Sequence, residues 1–196
     1  MNNKQQASGM GVVVASQSAI VLLGVAGIWL LNISLPAAKI GWGLASIFGV
    51  FLAVITFAIF FLVYRFGGRF AQTLLTDLQR VWGSFTGYSW LKIIVVASLA
   101  GIGEELLFRG FAQTWINSYI AIAWAILISS IIFALLHYLS YAYFICAILM
   151  SIAFGVGYYL SGSLLMVIVW HGVYDLIALV VIVKYRQIIV GNDVRF

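Results

Sequence analysis

The chain has 196 residues, of which 65% are hydrophobic and only 8% are charged, and its mean hydropathy is +1.15. A soluble domain needs far more polar surface, so this composition predicts an all-α, polytopic transmembrane helix bundle. The formal net charge is +5, but basic residues in a membrane protein usually report topology rather than contact with nucleic acid. The single cysteine, Cys146, cannot form an internal disulfide and is expected to be a small core residue.

The apolar stretches of the chain are long enough to predict about six membrane spans, since one span needs about 20 apolar residues. We place them near 10–31, 42–64, 91–116, 120–139, 142–160 and 163–183. The first is interpreted as a retained membrane helix or uncleaved anchor, because no small-residue cleavage site follows a short apolar core.

The segment 65–89, between the second and third spans, is the longest polar stretch of the chain. Its sequence "RFAQTLLTDLQRVW" repeats apolar side chains near helical spacing, at Phe70, Leu74, Leu75, Leu78 and Val81. This pattern predicts an amphipathic helix lying on the membrane surface. A helical loop without lipid contact fits the pattern equally well, so both interpretations stay open.

The basic residues predict the orientation of the bundle. In the six-span arrangement Lys39 lies alone on one side of the membrane, and Arg109 lies within a span. The other basic residues used for orientation fall on the opposite side: Lys4, Arg65, Arg69, Arg80, Lys92, Lys184, Arg186 and Arg195. Because cytoplasmic loops carry the excess of lysine and arginine, both termini are expected in the cytoplasm, provided that 70–82 does not span.

Charged residues are rare between positions 93 and 183, and all of them lie within predicted spans. They are Glu104, Glu105, Arg109 and Asp175, and the same stretch holds both histidines of the chain, His137 and His171. A charge at the bilayer centre costs about 2.5–3.5 kcal/mol on insertion scales. Several charges together are therefore expected to be paired or to face a wet cavity.

Their spacing predicts which of them pair. Glu105 and Arg109 are four residues apart, so an ion pair can form on one helical face. Glu104 points about 100° away around the same helix, which lets it face a cavity while Glu105 is paired. His171 and Asp175 repeat the four-residue spacing on the last span, where a carboxylate can fix the imidazole tautomer.

Each of these features alone has a structural explanation. A buried glutamate–arginine pair often only holds a bundle together, and a lone histidine in "FALLHY" is more often a satisfied core residue than a catalyst. Gly101 and Gly103 are interpreted as sites of close helix packing. Acid, base and paired carboxylates on separate helices are harder to explain structurally, so we expect a shared polar cavity faced by Glu104, Glu105, His137 and His171.

Three motifs in this region resemble those of the CPBP (CAAX protease and bacteriocin-processing, also called Abi) family of intramembrane proteases. In chain order they are EExxxR at Glu104, Glu105 and Arg109, FxxxH at Phe133 and His137, and HxxxN, with Asp in place of Asn, at His171 and Asp175. The resemblance covers roughly 90–183. It divides the chain into N-terminal spans and surface segment over 1–89, a catalytic membrane core over 90–183, and a basic cytoplasmic tail over 184–196.

The resemblance implies a bacterial-type membrane enzyme that hydrolyses peptide bonds with an activated water. Implied substrates are hydrophobic or lipid-anchored peptides, of which prenylated CAAX peptides are the best known class. In one compatible mechanism Glu104 is the base, acting with His137, while His171 and Asp175 stabilise the oxyanion. In the other, a divalent metal such as zinc is held by Glu104, His137 and His171.

The metal-free mechanism is favoured because the HExxH pattern is absent and the ligands would come from three helices. A serine or cysteine nucleophile is not expected, since Ser129, Ser130 and Cys146 lack an activating partner at helical spacing. Two alternatives from other classes stay open: a non-catalytic peptide-binding or immunity-like membrane protein, and a small proton-linked transporter. A transporter predicts polar residues strung along a path across the bilayer, whereas a protease predicts convergence on one cavity.

Overall fold

The computed structural model describes residues 3–185, and these residues form helices and short connections without a strand. The elements are α1 (Asn3–Leu30), α2 (Trp42–Phe66), α3 (Gly68–Phe85), α4 (Trp90–Glu105), a π-helical segment (Leu106–Gln113), α5 (Thr114–Asn117), α6 (Ile122–Leu136), α7 (Tyr141–Ser161) and α8 (Leu164–Lys184). The predicted all-α bundle is confirmed. Most of the predicted basic tail lies outside the described residues.

Four helical stretches are long and apolar enough to cross a membrane: Met10–Leu30, α2, α7 and α8. They correspond to four of the predicted spans, and the chain is an integral membrane protein. The predicted span 91–116 is a helical stretch that runs from α4 through the π-helical segment into α5. The predicted span 120–139 contains the 15-residue helix α6, which is shorter than an ordinary span.

Helix α8 is central to the bundle, because it packs against both α2 and α4. Helix α4 also packs against α1, and α6 packs against α7 and the π-helical segment. The contact between α4 and α8 is close at Gly101, where an added Cβ would lie 2.7 Å from the backbone nitrogen of Gly172. This glycine contact, of the kind predicted from the sequence, lets the carboxylates at the end of α4 reach side chains of α8.

The amphipathic segment forms α3, which packs against α2, α7 and α8. Its buried side chains are Ala71, Leu74 and Asp77, so one face of the helix lies on the protein. The buried aspartate was not expected from the apolar pattern. Its carboxylate accepts a hydrogen bond from Ser140, the residue that caps the N-terminus of α7, and forms an ion pair with Arg80 at 3.3 Å.

Candidate active site

The site begins where α4 ends. Glu105 is the last residue of α4, and the following eight residues form the π-helical segment that carries Arg109. Single π-helical turns inside α-helices are rare and occur frequently at functional sites. Here the carbonyl of Arg109 accepts a hydrogen bond of 2.8 Å from the Thr114 hydroxyl, five residues further along the chain.

The predicted ion pair between Glu105 and Arg109 is present and completely buried. The Arg109 Nη1 donates to Glu105 Oε1 at 2.9 Å, and both side chains are 0% exposed. The Arg109 Nη2 donates to the carbonyl and to the hydroxyl of Ser151, both at 2.6 Å. The guanidinium also lies 5.3 Å from the ring centroids of both Phe133 and Phe154. The fork of Arg109 therefore joins the end of α4 to α7.

Glu105 also holds a histidine of α8. Its Oε1 lies 2.8 Å from His171 Nδ1, which donates the hydrogen bond. The expectation that Glu105 faces the cavity is wrong. Glu105 is fully buried behind the cavity wall, where its carboxylate is bound to Arg109 and His171. A proton fixed on Nδ1 directs the other ring nitrogen, Nε2, toward the cavity.

The neighbouring Glu104 presents one oxygen to both histidines. Its Oε2 lies 3.4 Å from His137 Nε2 and 3.8 Å from His171 Nε2. The other nitrogen of His137, Nδ1, donates to the carbonyl of Phe133 at 2.9 Å, and the two rings stack with centroids 4.2 Å apart. Both imidazoles thus have Nδ1 occupied and Nε2 aimed at the same carboxylate oxygen.

The position of His137 follows from the shortness of α6. The helix ends at Leu136, and His137 follows as its C-terminal capping residue. His137 therefore lies where the chain leaves α6, and its Nε2 lies 3.4 Å from Glu104 Oε2.

Glu104, His137, His171 and Asp175 line one cavity of about 220 Å³. The rest of its wall is mostly apolar or aromatic and comes from α2, α3, α6, α7 and α8: Phe60, Tyr64, Leu74, Leu78, Phe133, Tyr143, Cys146, Ala147, Met150 and Tyr174. Polar groups that meet at one cavity are the arrangement expected of a protease active site. A path of polar groups across the bilayer is the arrangement expected of a transporter.

The side chain of Asp175 is 27% exposed, slightly less than that of His137 at 32%. Its Oδ2 lies 3.6 Å from His171 Nε2, at ion-pair distance, as the four-residue spacing predicts. The shorter contact of His171 is nevertheless the one with Glu105. Sequence reasoning assigned Glu105 to Arg109 alone, because spacing along a helix does not reveal a partner on another helix.

Two further residues touch the site and were missed. Ser151 holds Arg109, and Gln17 of α1 donates from Nε2 to Glu104 Oε1 at 3.2 Å. Gln17 could have been singled out, because an amide inside an apolar span is expected to have a specific partner. A serine in a membrane helix carries no comparable signal, since its hydroxyl can bond to its own helix.

A metal ion at Glu104, His137 and His171 is the second possibility raised by the sequence. Within residues 3–185, no group of three His, Cys, Asp or Glu side chains is arranged to hold a metal ion. Both imidazole Nε2 atoms are directed at Glu104 Oε2, at 3.4 and 3.8 Å.

Residues 86–177 match the family model described as Type II CAAX prenyl endopeptidase Rce1-like. This part of the chain is similar to that family. The match begins after α3, ends within α8 and contains all three motifs, which confirms the resemblance to CAAX proteases found in the sequence. No curated protein and no solved structure matches the chain. The match indicates a CAAX-type membrane protease, and α1, α2 and α3 lie outside the matched residues.

Proposed function

We propose that the chain is an intramembrane endopeptidase that hydrolyses lipid-modified, CAAX-like peptides with a water activated by Glu104 and His137. One observation carries the proposal: Glu104 Oε2 faces the Nε2 atoms of His137 and His171, at 3.4 and 3.8 Å, in the wall of a cavity. A carboxylate and an imidazole can together position a water and accept its proton.

In the proposed reaction, Glu104 accepts a proton from the water while the water oxygen attacks the carbonyl carbon of the scissile bond. The resulting oxyanion is stabilised by His171 in its doubly protonated form, which donates Nδ1–H to Glu105 and Nε2–H to the oxyanion. Glu104 then returns the proton to the leaving nitrogen as the C–N bond breaks. The new carboxylic acid loses the second water proton to the released amine, so the products are a carboxylate and an ammonium group, and the enzyme regains its starting state when a new water binds.

The remaining residues of the motifs act through their neighbours. Arg109 and Ser151 hold the Glu105 carboxylate in place, and Glu105 holds the His171 ring. Asp175 lies beside His171 Nε2 and favours an imidazolium at that position. Glu105, Arg109 and Asp175 are thus positioning residues, whereas Glu104, His137 and His171 touch the reacting atoms.

The substrate class is proposed from the family and from the cavity. The matching family is named for prenyl endopeptidases, and most of the cavity wall is apolar or aromatic. Such a wall favours a peptide with hydrophobic side chains or an attached lipid. We also propose a bacterial plasma membrane location with both termini in the cytoplasm, supported by the bias of the basic residues. Reporter fusions at each terminus check this orientation.

The test is cleavage by the purified full-length chain in detergent micelles. The substrate is a synthetic farnesylated peptide ending in a CAAX sequence, and products are identified by mass spectrometry. We expect the three C-terminal residues to be released by wild type and not by Glu104→Ala or His137→Ala. Binding of the peptide without cleavage by wild type would overturn the proposal and favour a non-catalytic peptide-binding protein.

Metal dependence is checked in the same assay. We expect 1,10-phenanthroline and EDTA to leave the cleavage rate unchanged, because the proposed chemistry uses water and side chains alone. A rate that falls with chelator and returns with added zinc would show that the metal-free mechanism is wrong.

A further inference from the structure

Helix α1 lies outside the residues that match the family, yet it packs directly against the end of α4. The approach is close at Gly103, where an added Cβ would lie 3.1 Å from Val21 and 3.3 Å from the carbonyl oxygen of Gln17. A glycine here brings the two helix backbones together. The contact places Gln17 beside Glu104, the residue that follows Gly103.

The amide of Gln17 makes a specific contact with the catalytic carboxylate. Its Nε2 donates to Glu104 Oε1 at 3.2 Å, across 87 residues of sequence. The amide oxygen, Oε1 of Gln17, is buried and has no hydrogen-bond partner in the part of the chain that the structure describes. Within the described residues, the hydrogen bond of the Gln17 side chain is thus directed to Glu104 and not shared with a second polar group.

The two oxygens of Glu104 consequently have different surroundings. Oε1 accepts from Gln17, and Oε2 faces the Nε2 atoms of His137 and His171. Glu104 is buried, with 5% of the residue exposed. The terminal torsion of a glutamate is intrinsically broad, so an unrestrained carboxylate can rotate away from the histidines. A donor on one oxygen restricts this rotation.

We propose that Gln17 is a positioning residue of the catalytic site: its amide holds Glu104 Oε1 so that Oε2 stays between the two histidines. The proposal rests on the role of Glu104 as the base. It extends the site to α1, beyond the residues matched by the family. Gln17 does not contact substrate; it acts through the orientation of the Glu104 carboxylate.

A positioning role and a packing role predict different kinetics. Misplacement of a catalytic group by about 1 Å lowers the rate by up to about 100-fold. Loss of the amide is therefore expected to reduce kcat and to leave KM unchanged, because the cavity wall that contacts the peptide is intact. A residue that only packs α1 against α4 would lower the melting temperature without reducing kcat of the folded enzyme.

The test uses the full-length chain, the farnesylated CAAX peptide and the variant Gln17→Met, which keeps the length of the side chain and removes the donor. We expect kcat to fall about 10- to 100-fold with KM unchanged. The matched control is Ser16→Ala on the same helix, because the Ser16 hydroxyl is exposed and bonds to the carbonyl of Val13 in its own helix. This control should retain wild-type kcat.

A second variant covers the case in which Gln17→Met does not fold. Gln17→Asn keeps the amide on a shorter side chain that no longer reaches Glu104, so kcat should again fall while KM is kept. Wild-type kcat in either folded variant would overturn the positioning role. Glu104→Ala is measured in parallel: if it stays active, the proposed function itself has failed, whereas an inactive Glu104→Ala with a fully active Gln17→Met refutes the role of Gln17 alone.

Discussion

The molecule contains two pairs in which an acidic residue is joined to an arginine one helical turn later, and the two pairs differ in burial. Glu105 and Arg109 are both 0% exposed, and their contact is 2.9 Å. Asp77 and Arg80 of α3 are 3.3 Å apart, but only the aspartate is buried, while the arginine side chain is 66% exposed. The same chemical pairing thus forms an internal link at the site and a partly hydrated contact on α3.

The two pairs also differ in the further hydrogen-bond partners of their side chains. The buried pair continues to His171 on one side and to Ser151 on the other, so it links α4, the π-helical segment, α7 and α8. At the surface pair, the second partner of Asp77 is Ser140, and Arg80 extends into solvent. We therefore expect that substitution of Arg109 lowers the free energy of unfolding most at the site, and that substitution of Asp77 lowers it more than substitution of Arg80 on α3.

The largest effect is expected for Arg109→Ala. It leaves the Glu105 carboxylate without its guanidinium in a fully buried position, where breaking an ion pair costs about 3–5 kcal/mol. The free energy of unfolding in mixed micelles measures the loss. A loss below about 1 kcal/mol, the range of surface pairs, would remove the distinction between the two regions.

Arg109→Lys sharpens the comparison, because it keeps the charge and removes the fork. A lysine ammonium cannot reproduce the planar geometry that lets Arg109 bind Glu105 and Ser151 together. Losing hydrogen bonds to a charged group costs about 1.5–3 kcal/mol. The same unfolding experiment checks this value, and wild-type stability of the lysine variant would show that charge alone suffices.

On α3, Asp77→Ala is expected to have a moderate effect. It removes the acceptor of the Ser140 hydroxyl at the start of α7, and a typical hydrogen bond contributes about 1 kcal/mol. Asp77→Asn, which keeps an acceptor oxygen, is the matched control and should recover most of the loss. Equal destabilisation by both variants would mean that the charge of Asp77, rather than its bond to Ser140, stabilises α3.

The smallest effect is expected for Arg80→Ala. Its side chain is 66% exposed, and exposed pairs of this kind contribute about 0–1 kcal/mol. Unfolding at low and high salt checks the value, because screening should abolish whatever small difference exists. A loss as large as that of Arg109→Ala would contradict the contrast between the two pairs.

The sequence predicted those parts of the molecule that depend on contacts within one helix. Apolar length located four spans, and four-residue spacing located the contacts Glu105–Arg109 and His171–Asp175. Contacts between helices were not accessible in this way. The bond of Glu105 to His171 and that of Gln17 to Glu104 join residues 66 and 87 positions apart, and no spacing rule relates them.

The π-helical segment and the burial of Asp77 were missed for a related reason. A π-helical turn arises from packing around Leu106–Gln113, and its residues also fit an ordinary helix. The apolar pattern of α3 does not include Asp77 and so gave no signal for its burial, where the Ser140 hydroxyl is its hydrogen-bond partner. In both cases the tertiary contacts decided the local structure.

The most direct test of the central claim is cleavage of the farnesylated CAAX peptide by Glu104→Gln. This substitution keeps the size of the side chain and removes its ability to accept a proton from water. The account predicts an unchanged melting temperature and a rate reduced by at least about 100-fold, the scale of general-base catalysis. A folded Glu104→Gln enzyme that cleaves the peptide at the wild-type rate would contradict it.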